Sequence, residues 1–326
     1  MKGTPELLRL GTRRSALART QSTHVADALR ARGHEVELVP IVTEGDLSRA
    51  PLATLGGTGV FAAALREALR RGAIDLAVHS LKDLPTAPDP DLVVAAVPLR
   101  EDPRDAVVAR DGATLAELGT GATVGTGSPR RVAQLNALGW GLAPRSVRGN
   151  VDSRLRLVEE GTVDAVLLAH AGLRRLGLAS RVTEVLDPIQ MLPAPGQGAL
   201  AVECRVDRED VRAILAEHDD PDTRACVDAE RTLLAILEAG CSAPVGALAE
   251  IVESEAPDGR PRLELSLRAF VGTVDGSEEL RRSLTGDPAD PLDLARRLAT
   301  ILLEDGAGTL MSTAEMSHPE SLENVQ

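Results

Sequence analysis

The sequence predicts an α/β protein with two helix-covered, mostly parallel sheets, followed by a small α+β domain. Three observations carry this. Strand-like and helical runs alternate through the first two thirds of the chain. Two stretches near the start are echoed later. Leu10-Gly11-Thr12 followed by Arg13-Arg14 resembles Val124-Gly125-Thr126 followed by Arg130-Arg131, and Gly72-Ala73-Ile74-Asp75-Leu76-Ala77-Val78 resembles Gly161-Thr162-Val163-Asp164-Ala165-Val166-Leu167. From Asp222 the pattern changes to a helix, three strand-like runs and a final helix.

In the first unit, the patterns predict a strand over Leu7 to Gly11 and a helix capped by Ser15 that runs to Arg32 and stops at Gly33. A strand over Val36 to Val42 follows, then a helix over Phe61 to Arg71 ended by Gly72. Two further strands are predicted, Ile74 to His79 and Leu92 to Val97. The second unit begins after Glu101-Asp102-Pro103-Arg104. It reads as a strand over Ala122 to Gly125, a helix over Arg130 to Leu138, a strand over Arg145 to Arg148, a helix capped by Asp152 that stops at Gly161, and a buried strand over Val163 to Ala169. The last part reads as a helix over Thr223 to Ala239, strands near Val245 to Val252, Leu263 to Val271 and Glu279 to Leu284, and a helix from Pro291 to Leu303. The polar residues after Ser312 read as disordered.

At 326 residues the chain is long enough for two or three domains. Its three cysteines make neither a disulfide framework nor a zinc-ligand spacing, so no metal is expected and a reducing compartment, the cytoplasm, is. No apolar run approaches the ~18 residues of a membrane span, and Met1 to Arg9 lacks the apolar region of an export signal. Two Phe, one Trp and no Tyr leave few faces for stacking bases, and a net charge of −13 argues further against nucleic acid.

Arginine is nevertheless gathered locally: Arg130, Arg131, Arg145, Arg148, Arg154 and Arg156 crowd one stretch, and Arg13 and Arg14 pair near the start. The guanidinium fork matches carboxylate and phosphate, so an acidic protein that clusters it is suited to an anionic ligand; the alternative is a solvated basic face. In each unit a strand ends in Gly-Thr, arginines follow and a helix begins, which places helix N-terminal N–H groups at the carboxyl ends of the strands. Two such units facing each other form a cleft with anion-binding groups on both walls.

Four further stretches bear on chemistry. Cys241 follows a helical run and Gly240, with Pro244 soon after, so it is expected on a loop. Cys226 shares a helical stripe with Ala229, Leu233 and Ile236, and Cys204 alternates with Leu200 and Val202, so both read as packed and inert. Val78-His79-Ser80-Leu81-Lys82-Asp83-Leu84-Pro85 leaves a buried strand for a loop. Its Lys82-Asp83 pair reads either as a surface ion pair or as a carboxylate for proton transfer with a cationic neighbour. Leu55-Gly56-Gly57-Thr58-Gly59-Val60-Phe61 lacks the ending of a nucleotide P-loop and reads as a lid. Pro193-Ala194-Pro195-Gly196-Gln197-Gly198-Ala199 reads as an interdomain crossing.

Taken in order, the motifs resemble the porphobilinogen deaminase family: Gly11-Thr12-Arg13-Arg14-Ser15, Asp75 to Pro85, Glu101-Asp102-Pro103-Arg104-Asp105, Val124 to Arg131, Val147-Arg148-Gly149-Asn150-Val151, Ala171-Gly172-Leu173, Pro195-Gly196-Gln197-Gly198 and Ala239-Gly240-Cys241. The ordered set spans nearly the whole chain. The resemblance implies head-to-tail condensation of four porphobilinogen molecules with loss of ammonia, followed by hydrolysis to hydroxymethylbilane in haem biosynthesis. It implies a dipyrromethane cofactor joined through a thioether to Cys241 and Asp83 as the catalytic carboxylate. Arg13, Ser15, Lys82, Thr126, Ser128, Arg130, Arg131, Arg148, Gly149, Arg154 and Gln197 are implied to hold cofactor and substrate. The fold it implies has two α/β domains like those of periplasmic binding proteins, with a cleft between them, and a small C-terminal α+β domain. Domain 1 is 1–100 with 198–218, domain 2 is 101–197, domain 3 is 219–312 and the tail is 313–326. The protein is expected to be a monomer with no nucleic-acid or membrane partner. In one departure, Thr54 and Thr58 stand where some relatives carry lysines in the glycine-rich loop, so no lid residue is carried over. The rival reading is a two-domain carboxylate-binding protein of the periplasmic-receptor type, which explains the duplication and the arginines but needs neither Asp83 nor Cys241.

Overall fold

The computed structural model describes residues 7–41, 60–237, 244–255 and 259–316. The chain forms two compact units: one takes residues 1–103, 169–180 and 196–227, the other 104–168, 181–195 and 228–326.

The first unit contains β1 (Leu8–Thr12), α1 (Ala16–Ala31), β2 (Val36–Pro40), α2 (Val60–Arg70), β3 (Leu76–Ser80) and β4 (Leu92–Ala96). In the second are β5 (Asp105–Ala109), β6 (Thr123–Gly125), α3 (Pro129–Ala137), β7 (Ala143–Arg145), α4 (Val151–Glu159) and β8 (Ala165–Ala169). Next in sequence come α5 (His170–Arg175), which lies in the first unit, and β9 (Glu184–Val185) in the second. They are followed by β10 (Leu200–Arg205) and α6 (Glu209–Ala216), both in the first unit.

The first sheet has the order β2-β1-β3-β10-β4, the second β7-β6-β8-β5-β9. In the first, β1 runs parallel to β2 and β3; in the second, β6 runs parallel to β7 and β8. The repeated sequence stretches thus occupy equivalent strands. The echoed aspartates do the same work. The Arg9 N–H donates to Asp75 Oδ2 at 2.9 Å, while the Asp75 N–H donates to the Arg9 carbonyl at 2.8 Å. In the second unit the Thr123 N–H donates to Asp164 Oδ2 at 2.8 Å, and the Asp164 N–H returns to the Thr123 carbonyl at 2.9 Å. A carboxylate at a strand entry satisfies a backbone donor that lies beyond the regular ladder.

Helix α1 starts because Ser15 is extended (φ −62°, ψ 145°) and its hydroxyl accepts the Ala18 N–H at 3.3 Å. Its buried stripe, Val25, Ala26 and Leu29, meets Leu8 and Leu10 of β1, Leu76 and Val78 of β3, and Val202 and Cys204 of β10. Burial pushes the Cys204 thiol up to about 11, so it is inert packing.

The division between the units falls within α7 (Pro221–Ile236), whose stripe buries Cys226, Ala229 and Leu233. An antiparallel three-stranded sheet follows, β11 (Val245–Glu255), β12 (Pro261–Gly272) and β13 (Glu279–Gly286), then α8 (Pro291–Glu304) and α9 (Ala307–Met316). Ala133 of α3 and Leu192 share a core with Leu248 and Phe270 of this sheet.

The first sheet is mostly parallel, as expected, with β10 alone reversed between β3 and β4. Three expectations are corrected. The strand placed over Arg145 to Arg148 ends at Arg145, which leaves Arg148 on a loop. The cap of α4 is Asn150, whose Oδ1 accepts the Ser153 N–H at 2.9 Å; Asp152 lies inside the first turn. Residues 313–316 are helical, since α9 runs to Met316.

Candidate active site

Asp83 ends a single 3₁₀ turn, Leu81–Asp83, at the carboxyl end of β3. Leu81 and Leu84 are buried on either side of it, Lys82 is half-buried and Asp83 is exposed. Two apolar anchors therefore pin the turn and present the carboxylate to solvent. The Leu81 N–H donates to the Ala199 carbonyl at 3.1 Å. Lys82 Nζ donates to Gln197 Oε1 at 3.1 Å, and Gln197 Nε2 donates to the Pro103 carbonyl at 2.7 Å. Gly198 has a φ of +89°, and a Cβ there would lie 2.3 Å from the Glu101 carbonyl oxygen, so only glycine lets these two segments meet. Arg13 is half-buried at the carboxyl end of β1, and Ser15 is spent on capping α1.

Behind the turn lies an ionic cluster that the sequence did not reveal. Glu203 of β10 is 1% exposed and accepts from Arg66 of α2 at Nη2 (2.8 Å) and Nε (3.1 Å). His79 Nε2 stands 3.4 Å from Glu203 Oε2, an ion-pair distance but longer than a formed hydrogen bond. Burial alone would raise the Glu203 pKa; His79 and Arg66 outweigh it and hold the carboxyl below its usual value. A charged letter inside Ala201-Val202-Glu203-Cys204 was the available signal.

In the second unit Arg130 and Arg131 are 3% and 5% exposed, which excludes a solvated basic face for this pair. Both bond Asp105, which is fully buried at the start of β5. Arg130 Nη2 donates to Oδ2 at 2.7 Å; Arg131 Nη2 and Nε donate to Oδ1 at 2.6 and 3.2 Å. Arg130 also reaches the Leu192 carbonyl at 2.5 Å and Arg131 the Leu167 carbonyl at 2.8 Å. Gln134, one turn along α3, donates to the Leu192 carbonyl at 3.0 Å and accepts its N–H at 2.8 Å. Asp105 heads the apolar run Ala106 to Ala109, a pattern that could have marked it.

The loops after β6 and β7 carry the remaining residues. Thr126 is buried and its Oγ1 accepts the Ser128 N–H at 3.2 Å. Ser128 stands at the N-cap of α3 but its hydroxyl makes no cap bond, unlike the Ser15 hydroxyl and the Asn150 amide oxygen in their helices. Arg148 is exposed, Gly149 has a φ of +100°, and the Arg154 Nε donates to the Gly149 carbonyl at 3.0 Å. Burial pushes the Arg154 guanidinium down to about 10, and the charges of Arg131 and Arg148 push it the same way. The charges of Arg131 and Arg148 thus reach Arg154.

Cys241, Thr54, Thr58 and most of the glycine-rich stretch lie outside the described residues. Among the described residues no cluster of His, Cys, Asp and Glu could hold a metal ion, and no helix is long and apolar enough to cross a membrane.

Residues 8–213 match the family described as "Porphobilinogen deaminase, dipyromethane cofactor binding domain", and residues 224–304 match "Porphobilinogen deaminase, C-terminal domain". The chain belongs to the porphobilinogen deaminase family. A porphobilinogen deaminase of Mycobacterium tuberculosis is 60% identical over 305 residues, 94% of this chain and 98% of that protein. One of Mycolicibacterium paratuberculosis is 59% identical over 308 residues, with the same coverage. Among solved structures, the methionine binding protein MetQ aligns with a TM-score of 0.42 at 13% identity, over 66% of this chain and 90% of that one. The activity of the chain is that of the family, a transferase reaction of porphyrin biosynthesis, and its cofactor is a dipyrromethane.

Proposed function

We propose a division of labour for the condensation of four porphobilinogen molecules: Asp83 is the catalytic carboxylate, Cys241 bears the cofactor, and the arginine wall holds carboxylates. The observation that carries this reading is the gathering of buried Arg130 and Arg131, half-buried Arg154 and exposed Arg148 in the second unit. A ligand with several carboxylates suits such a cluster, and the Ser128 hydroxyl, which makes no cap bond, and the first-turn N–H groups of α3 suit the same groups. These features fit a dipyrromethane, whose bound form supplies a pyrrole carbon to which the chain is extended.

Asp83 is exposed on a turn whose backbone is fixed through buried Leu81 and Leu84. There it offsets the positive charge that develops as ammonia leaves the substrate, and it accepts hydrogen bonds from pyrrole N–H groups. Lys82 and Arg13 supply cations beside it for the acetate and propionate of the incoming ring. Arg130 and Arg131, tied to Asp105, are the rigid part of the wall and hold the resident cofactor. Exposed Arg148 and half-buried Arg154 take up carboxylates as the chain grows. Thr126 and Gly149 shape the two loops, and Gln197 sets Lys82.

The three sheets support three domains near the boundaries 1–100 with 198–218, 101–197 and 219–312. Cysteines without disulfide spacing support a cytoplasmic enzyme, and the family resemblance supports a monomer. Intact mass tests the attachment. Wild-type protein should exceed its chain mass by one dipyrromethane and colour with acidic p-dimethylaminobenzaldehyde. Cys241→Ser should lose both signals while Cys204→Ser and Cys226→Ser keep them. An adduct that survives in Cys241→Ser refutes the attachment.

A further inference from the structure

The chain leaves the first unit at Pro103 and re-enters it at Ala169. Two side chains beside these points meet within that unit. His170, the first residue of α5, places Nδ1 3.0 Å from Asp102 Oδ2, although 68 positions separate them in sequence. Their side chains are only 12% and 13% exposed. An ionised carboxylate only accepts, so Nδ1–H is the donor in either charge state of the ring. A hydrogen bond to a charged group is among the stronger ones, and this one anchors Asp102 to α5.

Stiff backbone connects Asp102 to the Asp83 turn. The ring of Pro103 fixes its own φ and confines the residue before it to extended backbone. Few soft torsions therefore separate the Asp102 carboxylate from the Pro103 carbonyl. That carbonyl accepts Gln197 Nε2 at 2.7 Å, and Gln197 Oε1 accepts Lys82 Nζ at 3.1 Å. Gln197 is 1% exposed. Its amide turned over would set NH₂ against the ammonium, donor against donor, so the Pro103 carbonyl selects the end of the amide that Lys82 meets. Gly198 lets the two segments lie together: a Cβ there would stand 3.2 Å from Pro103 Cα and 3.3 Å from the Asp102 carbonyl oxygen.

We infer that His170 and Asp102 are positioning residues for Lys82. Their bond fixes the Pro103 carbonyl, the carbonyl orients the Gln197 amide, and the amide holds the ammonium next to Asp83. Neither residue is among those assigned to cofactor or substrate. The inference rests on the reading of Lys82 as a cation for the carboxylates of the incoming porphobilinogen.

Steady-state turnover of porphobilinogen by holoprotein tests it, with intact mass and thermal unfolding as checks on cofactor and fold. His170→Ala should raise KM about fivefold at unchanged kcat, the pattern of lost uniform binding, with full dipyrromethane occupancy. His170→Asn, whose amide N–H can replace Nδ1–H, should return KM to within about twofold of wild type. Lys82→Met should itself raise KM. Adding His170→Ala to it should cost nothing further in kcat/KM, since no ammonium remains to be placed. A wild-type KM in His170→Ala, or losses that simply add in the double variant, overturn the inference, because a pair that served only the fold would weaken both backgrounds alike. A wild-type KM in Lys82→Met refutes the reading of Lys82 itself, and the inference falls with it.

Discussion

Asp105→Asn tests whether the buried arginine pair is a built anion-binding wall. The substitution keeps the shape of the side chain and removes its charge. Arg130 and Arg131 place charge-assisted bonds on that carboxylate at 2.6, 2.7 and 3.2 Å. Hydrogen bonds to charged groups contribute about 1.5–3 kcal/mol each, but an asparagine oxygen still accepts from one arginine while its NH₂ faces the other. The naive sum therefore overshoots. Breaking a buried ion pair by removing one partner costs about 3–5 kcal/mol, because the uncompensated charge stays buried, and the lower end of that range is expected here. Urea unfolding of holoprotein monitored by circular dichroism measures it, with intact mass as a second readout. The variant should unfold at lower urea and carry a reduced share of dipyrromethane, since Arg130 and Arg131 lose their anchor. A stability within about 1 kcal/mol of wild type, with full cofactor occupancy, refutes the reasoning, because a loss that small belongs to an exposed ion pair.

Three other outcomes follow. Asp83→Asn should retain the covalent adduct but lose about 10²–10⁴-fold in turnover, the usual worth of a positioned proton-transfer group; retention of a tenth of the wild-type rate removes Asp83 from that role. Arg130→Leu or Arg131→Leu should leave protein without cofactor, whereas Arg148→Leu should assemble it and stall with adducts short of four added rings. Mass spectrometry after brief exposure to porphobilinogen separates the two, and a wild-type ladder in all three variants rules out the wall. The Glu203 carboxyl is held below its unfolded value of 4.5 despite burial. The unfolded chain therefore takes up its proton first as pH falls: the contribution of Glu203 is complete above 4.5 and is lost as pH drops through the lower folded value. Glu203→Gln should flatten the acid limb of the stability–pH curve, and an unchanged limb contradicts the pairing with Arg66.

The elements were legible where the information is local. Ser15 reads as a cap because a hydroxyl two residues ahead of an apolar stripe reaches the free N–H groups of the first turn, and the stripe of Val25, Ala26 and Leu29 fixes the buried face of α1. Asp83 was legible as a carboxylate at a strand exit, and the paired echoes around Asp75 and Asp164 located equivalent strands. The ordered motifs carried the family. Near-neighbour grammar misled over Asp152, because Asn150 competes for the same cap and wins by its extended backbone (φ −74°, ψ 179°).

Tertiary structure alone decided what depends on residues far apart in sequence. Nothing near Arg130 and Arg131 announces that Asp105 will lie between them, or that Arg66 of α2 will meet Glu203 of β10. The return of β10 to the first sheet, antiparallel between β3 and β4, and the place of α5 in the unit opposite to that of β8 are matters of topology. Helix and strand follow from contacts within a few residues, which periodicity records. A buried charge instead takes whichever partner the folded chain brings within about 3 Å, because leaving it unpaired away from water costs more than almost any local preference.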